Sequence, residues 1–345
     1  MSSLQVGLAV AGGLLLGGVI VWEAWSARRR APRQPTLEER ASAAAPLDDD
    51  GERVEPAFDP DLAPSGAQPA LRARLDALID VITPIALDDR VVSGEALLAA
   101  LPATRRVGSK PFAVEGRPVG GGPWEPPAAG QRYEALQAGV QLANRTGPLN
   151  EIEYSEFVMK AQRLADAVGG APDFPDMLAE VARARELDEF AATHDAQLSF
   201  TLRASEAAWS AGFVHQQAAR LGFVAGVIPG RMVLPAGETG LPPLLGLTFD
   251  PRAALTDDPE RSAITSLVLN LDVSQVPRQE RPFDRLREAA FALARAMGGA
   301  ITDDTGQPLQ SETIDKIGQD LTLLYDTLDE HDLSAGSPQA RRLFS

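Results

Sequence analysis

The sequence predicts an α+β protein with an N-terminal transmembrane helix, a disordered tether, and two tandem two-layer sandwiches, each an antiparallel sheet with helices on one face. Three observations carry this. An uncharged apolar run fills residues 6–22. Residues 31–70 are rich in Pro, Ala and acid and show no apolar period. From about residue 75 a globular pattern begins, and it recurs further along the chain. The boundaries that follow are 1–27 for the anchor, 28–71 for the linker, 72–195 for a degenerate first repeat, 196–335 for the second, and 336–345 for a tail.

The apolar run VGLAVAGGLLLGGVIVW starts at Val6 and ends at Trp22. With its flanks it reaches the roughly 20 residues that a membrane-spanning helix needs. Trp22 and Trp25 stand where interfacial aromatic anchors belong, and Arg28, Arg29 and Arg30 follow at once. Positive charge after the span and none before it predicts an outer N-terminus and a cytoplasmic bulk. A cleaved signal peptide would carry its charge before the apolar stretch. The segment after the arginines cannot bury enough apolar surface to offset its ordering entropy, and so reads as a tether.

Composition excludes several function classes. Lys and Arg total 32 against 48 Asp and Glu, a net charge of −16. Nucleic-acid binders need a basic face, so no nucleic-acid partner is expected. The chain has no Cys, which removes disulfides, thiol catalysis and cysteine-ligated metals. The three histidines, His194, His215 and His331, are scattered singly and lack metal-ligand spacing. No metal, cofactor or small-molecule substrate is expected, and no catalytic residues are assigned.

The repeat is clearest in two helices. FVMKAQRLADAVGG at 157–170 places Phe157, Ala161, Leu164, Ala165 and Val168 on one face. LREAAFALARAMGG at 286–299 places Leu286, Ala290, Leu293, Ala294 and Met297 in the same positions. Each pattern has helical period and stops at a glycine pair suited to a left-handed cap. Strand-like runs precede each helix: YEALQAGVQLANR at 133–145 in the first copy, LPPLLGLTF and AITSLVLNLDV at 241–249 and 263–273 in the second. Upstream of these lie a short helix (from Ser93, and over 210–221) and a strand (78–86, and 197–204). Each copy therefore reads β-α-β-β-β-α, with short turns that imply antiparallel pairing. Helices are also predicted over 176–191 and 311–330, the latter with Ile314, Ile317, Leu321, Leu324 and Leu328 on its buried face.

The short motifs carry no chemistry of their own. Asp304-Thr305-Gly306 has the aspartic-protease form but no second carboxylate copy, so it reads as a hairpin turn over 303–306 between two short strands. Gly120-Gly121-Gly122 runs into Pro123 without a helix start or a lysine, and reads as a loop. From the residues alone the chain is a membrane-tethered pair of α+β domains that bind something.

The layout and the second repeat resemble the ZipA family of cell-division proteins, across about 197–332. The resemblance is carried by LSFTLRA, QQAARLGFVAG, LPPLLGLTFDP, ITSLVLNLDV and FDRLREAAFALARAMGGAITDD. The first repeat resembles the same domain through VSGEALLAAL, YEALQAGVQLANR and FVMKAQRLADAVGG. The doubled domain and the short tether depart from the family's simplest layout. The resemblance implies a non-enzymatic, single-pass protein of the bacterial inner membrane, at the division site. It would bind the C-terminal tail peptide of FtsZ on an open sheet face and so tether FtsZ filaments to the membrane. Alternation implies that Ser199, Thr201, Val268 and Asn270 lie on that face, joined by Leu244, Thr248 and Met232. Ser199, Thr201 and Asn270 are polar where the family pattern suggests large apolar residues. Two alternatives stay open: a scaffold of the same build with another protein partner, and a membrane-anchored enzyme with a site between the domains.

Overall fold

The computed structural model describes residues 74–238, 240–255, 262–303 and 306–345. The predicted anchor (Val6, Trp22, Trp25, Arg28, Arg29, Arg30), the linker, and Asp304 and Thr305 lie outside the described residues. Among the described residues no helix is long and apolar enough to cross a membrane. The chain forms two compact units. The first takes the described residues up to Ala196 together with Val273–Arg278 and Leu321–Ser345, and the second takes Gln197–Asp272 and Gln279–Asp320.

The first unit opens with strand β1 (Asp80–Ala86), the short β2 (Val92–Ser93) and helix α1 (Gly94–Ala100). Ser93 caps α1 by accepting from the Ala96 N–H. Strands β3 (Arg106–Val107), β4 (Lys110–Pro118) and β5 (Arg132–Gln141) follow, then a small hairpin of β6 (Ala143–Asn144) and β7 (Gly147–Pro148). Helix α2 (Glu151–Val168) starts at a capping box: the Asn150 side chain accepts from Ile152 and Glu153, and the Glu153 side chain accepts from the Asn150 N–H. It stops at Gly169, whose φ of 69° lies in the left-handed region, as its sequence predicts. Strand β8 (Ala171–Pro172) and helix α3 (Met177–His194) complete this stretch.

The sheet order is β3-β4-β5-β1-β8, with β2 on β5. β4, β5 and β1 pair antiparallel, so Val114, Ala138 and Thr83 share a row, as do Phe112, Val140 and Val81. These rows bury against Leu97 of α1 and Phe157, Ala161 and Leu164 of α2. Strand β4 is absent from the sequence reading. Its buried Lys110 and Glu115 break the apolar alternation, and each has a remote partner: Asn144 for the lysine, beside its neighbour Ser109, and the Leu75 N–H and Gln137 for the glutamate.

The second unit contains β9 (Gln197–Ala204), α4 (Ala211–Ala219), β10 (Val224–Ala225), β11 (Arg231–Leu234), β12 (Leu245–Phe249), the single turn α5 (Pro251–Ala254), β13 (Ser266–Asp272), α6 (Pro282–Met297) and β14 (Gly299–Thr302). Its sheet order is β10-β11-β12-β13-β9-β14. Leu267, Leu269 and Leu271 of β13 are buried, with Phe200 and Leu202 of β9 beside them. Helices α4 and α6 supply the facing layer through Phe213, Val214, Leu286, Ala290 and Leu293. Trp209, fully buried, donates from Nε1 to the Met297 carbonyl at 2.7 Å and ties the start of α4 to the end of α6. After β14 the Gly306 N–H donates to the Asp303 carbonyl, and Thr302 bridges Pro308, so the predicted turn returns to a single bridge rather than a second strand.

Helix α7 (Ser311–Glu330) has the predicted bounds, and the division between units falls within it. The sequence reading assigns all of it to the second repeat, whereas residues from Leu321 group with the first unit. The reason lies in local partners: Tyr325 faces the Arg278 guanidinium, and Arg278 pairs with Asp326 at 2.7 Å. The stretch read as a tail carries helix α8 (Pro338–Leu343), with Ala340, Leu343 and Phe344 buried.

Candidate functional site: the open sheet face of the second unit

In the second unit one sheet face is covered by helices and the other is not. Antiparallel partners share a face, so the pairing register defines the uncovered rows. One row runs Arg231, Thr248, Val268 and Thr201, and ends on β14 at Thr302, which is buried. The next runs Val224, Val233, Gly246, Asn270, Ser199. Ser199 is exposed, and Thr201, Thr248, Val268 and Asn270 are partly exposed. A Cβ at Gly246 would lie 2.0 Å from Asn270 Oδ1, so the amide lies across the glycine.

Five of the seven predicted face residues therefore share this surface: Ser199, Thr201, Thr248, Val268 and Asn270. Two do not offer an accessible side chain. Met232 is 2 % exposed and pairs with Leu247, which pairs with Leu269, so it belongs to the covered face. Arg231 and Val233 take the uncovered positions of β11 instead. Leu244 is 3 % exposed. It precedes β12, and its N–H donates to the Leu234 carbonyl, which closes the β11–β12 end over it.

The sequence reading missed the apolar rim of this face. Val224, Val227 and Ile228 are exposed around the β10–β11 turn. Val227 and Ile228, with Val233, Leu241 and Pro243, line a trough of about 600 Å³ that Arg231 also borders. The signal was present in FVAGVIPGRMV: Val224, Val227 and Ile228 crowd around two glycines, too many for a two-residue strand and a turn to bury. Exposed apolar clusters of this kind mark contact surfaces.

The histidines have structural partners. His215 is partly buried, with its ring 5.6 Å from Phe249, and burial pushes its pKa below the ordinary value. His194 and His331, scattered in sequence, both contact the Phe190 ring, with centroids 4.2 and 4.4 Å away. Their Nδ1 atoms meet the carbonyls of Phe190 and Thr327 at 2.7 and 2.9 Å. Among the described residues no group of His, Asp or Glu is arranged to hold a metal ion.

This geometry defines a class: a two-layer α/β domain with one free sheet face and an apolar rim. Residues 249–320 match the family described as ZipA, C-terminal FtsZ-binding domain. The match spans the end of β12, β13, α6, β14 and the first half of α7. The match is narrower than the resemblance over 197–332 and includes no residue before Phe249. No curated protein matches the chain. Among solved structures, berberine bridge enzyme from Eschscholzia californica, in a monoclinic crystal form, aligns over 75% of this chain and 54% of its own at 10% identity. Its TM-score of 0.16 carries no argument about fold or activity.

Proposed function

We propose that the chain is a cell-division adaptor whose second domain binds the C-terminal tail of FtsZ on its free sheet face. The observation that carries this reading is the family match over 249–320, which includes β13 with Val268 and Asn270 on that face. The geometry supports it: Val268 lies centrally among short polar side chains, and Val233, Val227 and Ile228 line the adjoining trough. A peptide docked there gains most of its affinity from a few apolar anchors, with Thr201, Thr248 and Asn270 setting register through hydrogen bonds. The work of this site is association, and no group transfer is assigned to it.

The uncharged run 6–22 and Arg28, Arg29 and Arg30 after it support a single-pass anchor in the inner membrane, with the domains on the cytoplasmic side at the division site. A tethered domain of modest affinity then holds a filament by avidity, because many tails dock along one polymer. The shared order β4-β5-β1-β8 and β12-β13-β9-β14 supports the first domain as a duplicate of the second. The test is co-sedimentation of the full chain, in detergent micelles, with FtsZ filaments. Co-pelleting with intact FtsZ and none with tail-less FtsZ is expected. Equal co-pelleting with both would move the contact off the tail, and none with either would point to an adaptor for a different partner.

A further inference from the structure

We propose that the Asp80–Gln141 end of the first domain's free sheet face is a docking surface occupied by the chain's own segment 337–345, which leaves the second domain as the site for an added peptide. The occupancy stands on the first unit alone, while the single-site clause rests on the function proposed above.

The two sheets share a strand order, so β5 and β1 of the first correspond to β13 and β9 of the second. The face of β5 and β1 opposite the helices carries Gln141 beside Asp80, Gly139 beside Ile82, and Gln137 beside Pro84. In the second domain the corresponding positions remain at least partly exposed, as do Ile82, Gln137 and Pro84 here, so the difference lies at Asp80, Gln141 and Gly139. In the first, Asp80 is completely buried as a side chain. Arg342 donates to both of its carboxylate oxygens, at 2.5 and 2.9 Å. Gln141 Nε2 donates to the Arg342 carbonyl at 2.8 Å, and Gln339 donates to Asp76 at 2.8 Å. The neighbouring row is closed by Leu75, whose side chain lies over Gly139 and whose N–H donates to Glu115.

The segment has the anatomy of a bound ligand. It is one short helix, capped by Ser337 on the Ala340 N–H, with Ala340, Leu343 and Phe344 as buried apolar anchors and one two-point charged pair at its centre. Such a pair specifies register, since an Asp80 carboxylate left without Arg342 would be buried and unpaired. Burial already pushes the Asp80 carboxyl above the usual carboxylate range, and Arg342 opposes that push. The surface therefore fits a short, amphipathic, helical segment with a guanidinium after its apolar residue.

The test uses the full chain and a deletion variant ending at Leu333, both in detergent micelles, with a fluorescein-labelled peptide of residues 334–345 followed by anisotropy. The peptide should bind the deletion variant one to one and bind the full chain at least about tenfold more weakly. Adding Asp80→Ala to the deletion variant should weaken it by about tenfold or more. A deletion variant that unfolds cooperatively yet does not bind would overturn the proposal, as would equal binding to both chains. Should the deletion variant fail to fold, Arg342→Ala in the full chain is read by hydrogen exchange. The Arg341 and Phe344 amides should exchange about tenfold faster while β5 amides do not change. No change at those amides, or an equal rise across β5, would overturn it. FtsZ takes no part in these measurements, so failure of the proposed function leaves them readable.

Discussion

Replacing Val268 with aspartate alters the centre of the free face and nothing behind it. Val268 is partly exposed and lies between Thr248 and Thr201 on the neighbouring strands. The change gives up one β-branched cross-strand contact, and such substitutions span about 1 kcal/mol in strands. A loss of that size lowers the unfolding midpoint by about 4–8 °C in a domain of this size. For a docked peptide the same change puts a carboxylate under an apolar anchor. Loss of a central anchor costs about 2 kcal/mol or more, about a thirtyfold rise in Kd. Leu269, one residue on, is 0 % exposed and packs with Leu247 and Phe200 across the covered face. Truncating such a leucine to alanine costs about 2–5 kcal/mol, and a buried unpaired carboxylate adds to that. Set against a total stability of about 5–15 kcal/mol, Leu269→Asp should unfold the second domain. The assay is denaturant unfolding by circular dichroism, followed by anisotropy of a labelled FtsZ tail peptide on each folded variant. Normal peptide affinity in a folded Val268→Asp protein would refute the site. Unfolding by Val268→Asp while Leu269→Asp stays folded would refute the strand's phase and every face assignment on it.

Other expectations follow from single contacts. Asn150→Ala removes the capping box of α2 and should cost the first domain about 1 kcal/mol, read as a lowered urea midpoint at unchanged m-value. For His215 the folded pKa is depressed by burial, so its neutral form is favoured in the native state. Its stabilising contribution is thus present above the unfolded value near 6.5 and is lost as pH falls from there through the folded value. His215→Gln should flatten that part of the stability–pH curve, and an unchanged curve would remove His215 as its cause. A reporter that fluoresces only in the cytoplasm, fused after Ser345, should be bright if the run 6–22 is an anchor of the predicted orientation. A dark fusion alongside an active export-dependent reporter would reverse the topology.

What could be read from the sequence was whatever local pattern determines. The helices α2 and α6 follow from repeated apolar positions, and their ends from Gly169 and Gly298, both in left-handed conformation. The phase of β13 follows from seven residues of strict alternation. Strand β11 has only four residues after the turn at Gly230, too few for alternation to fix a phase, so Met232 was assigned to the wrong face. Strand β4 hid because Lys110 and Glu115 are buried through partners dozens of positions away. Helix α8 hid for a similar reason. Its anchors and Arg342 have no local purpose, and their partner Asp80 is remote in sequence. The apolar rim at Val227 and Ile228 was legible as composition but needed the structure to show it exposed among the described residues.

Occupancy of the second domain's free face by a peptide is read by hydrogen exchange of the full chain with and without a saturating FtsZ tail peptide. Exchange should slow in β11, β12, β13 and β9 around Val233, Thr248, Val268 and Thr201, with β1 and β5 unchanged. Protection confined to the first domain, or no protection anywhere at saturating peptide, would contradict it.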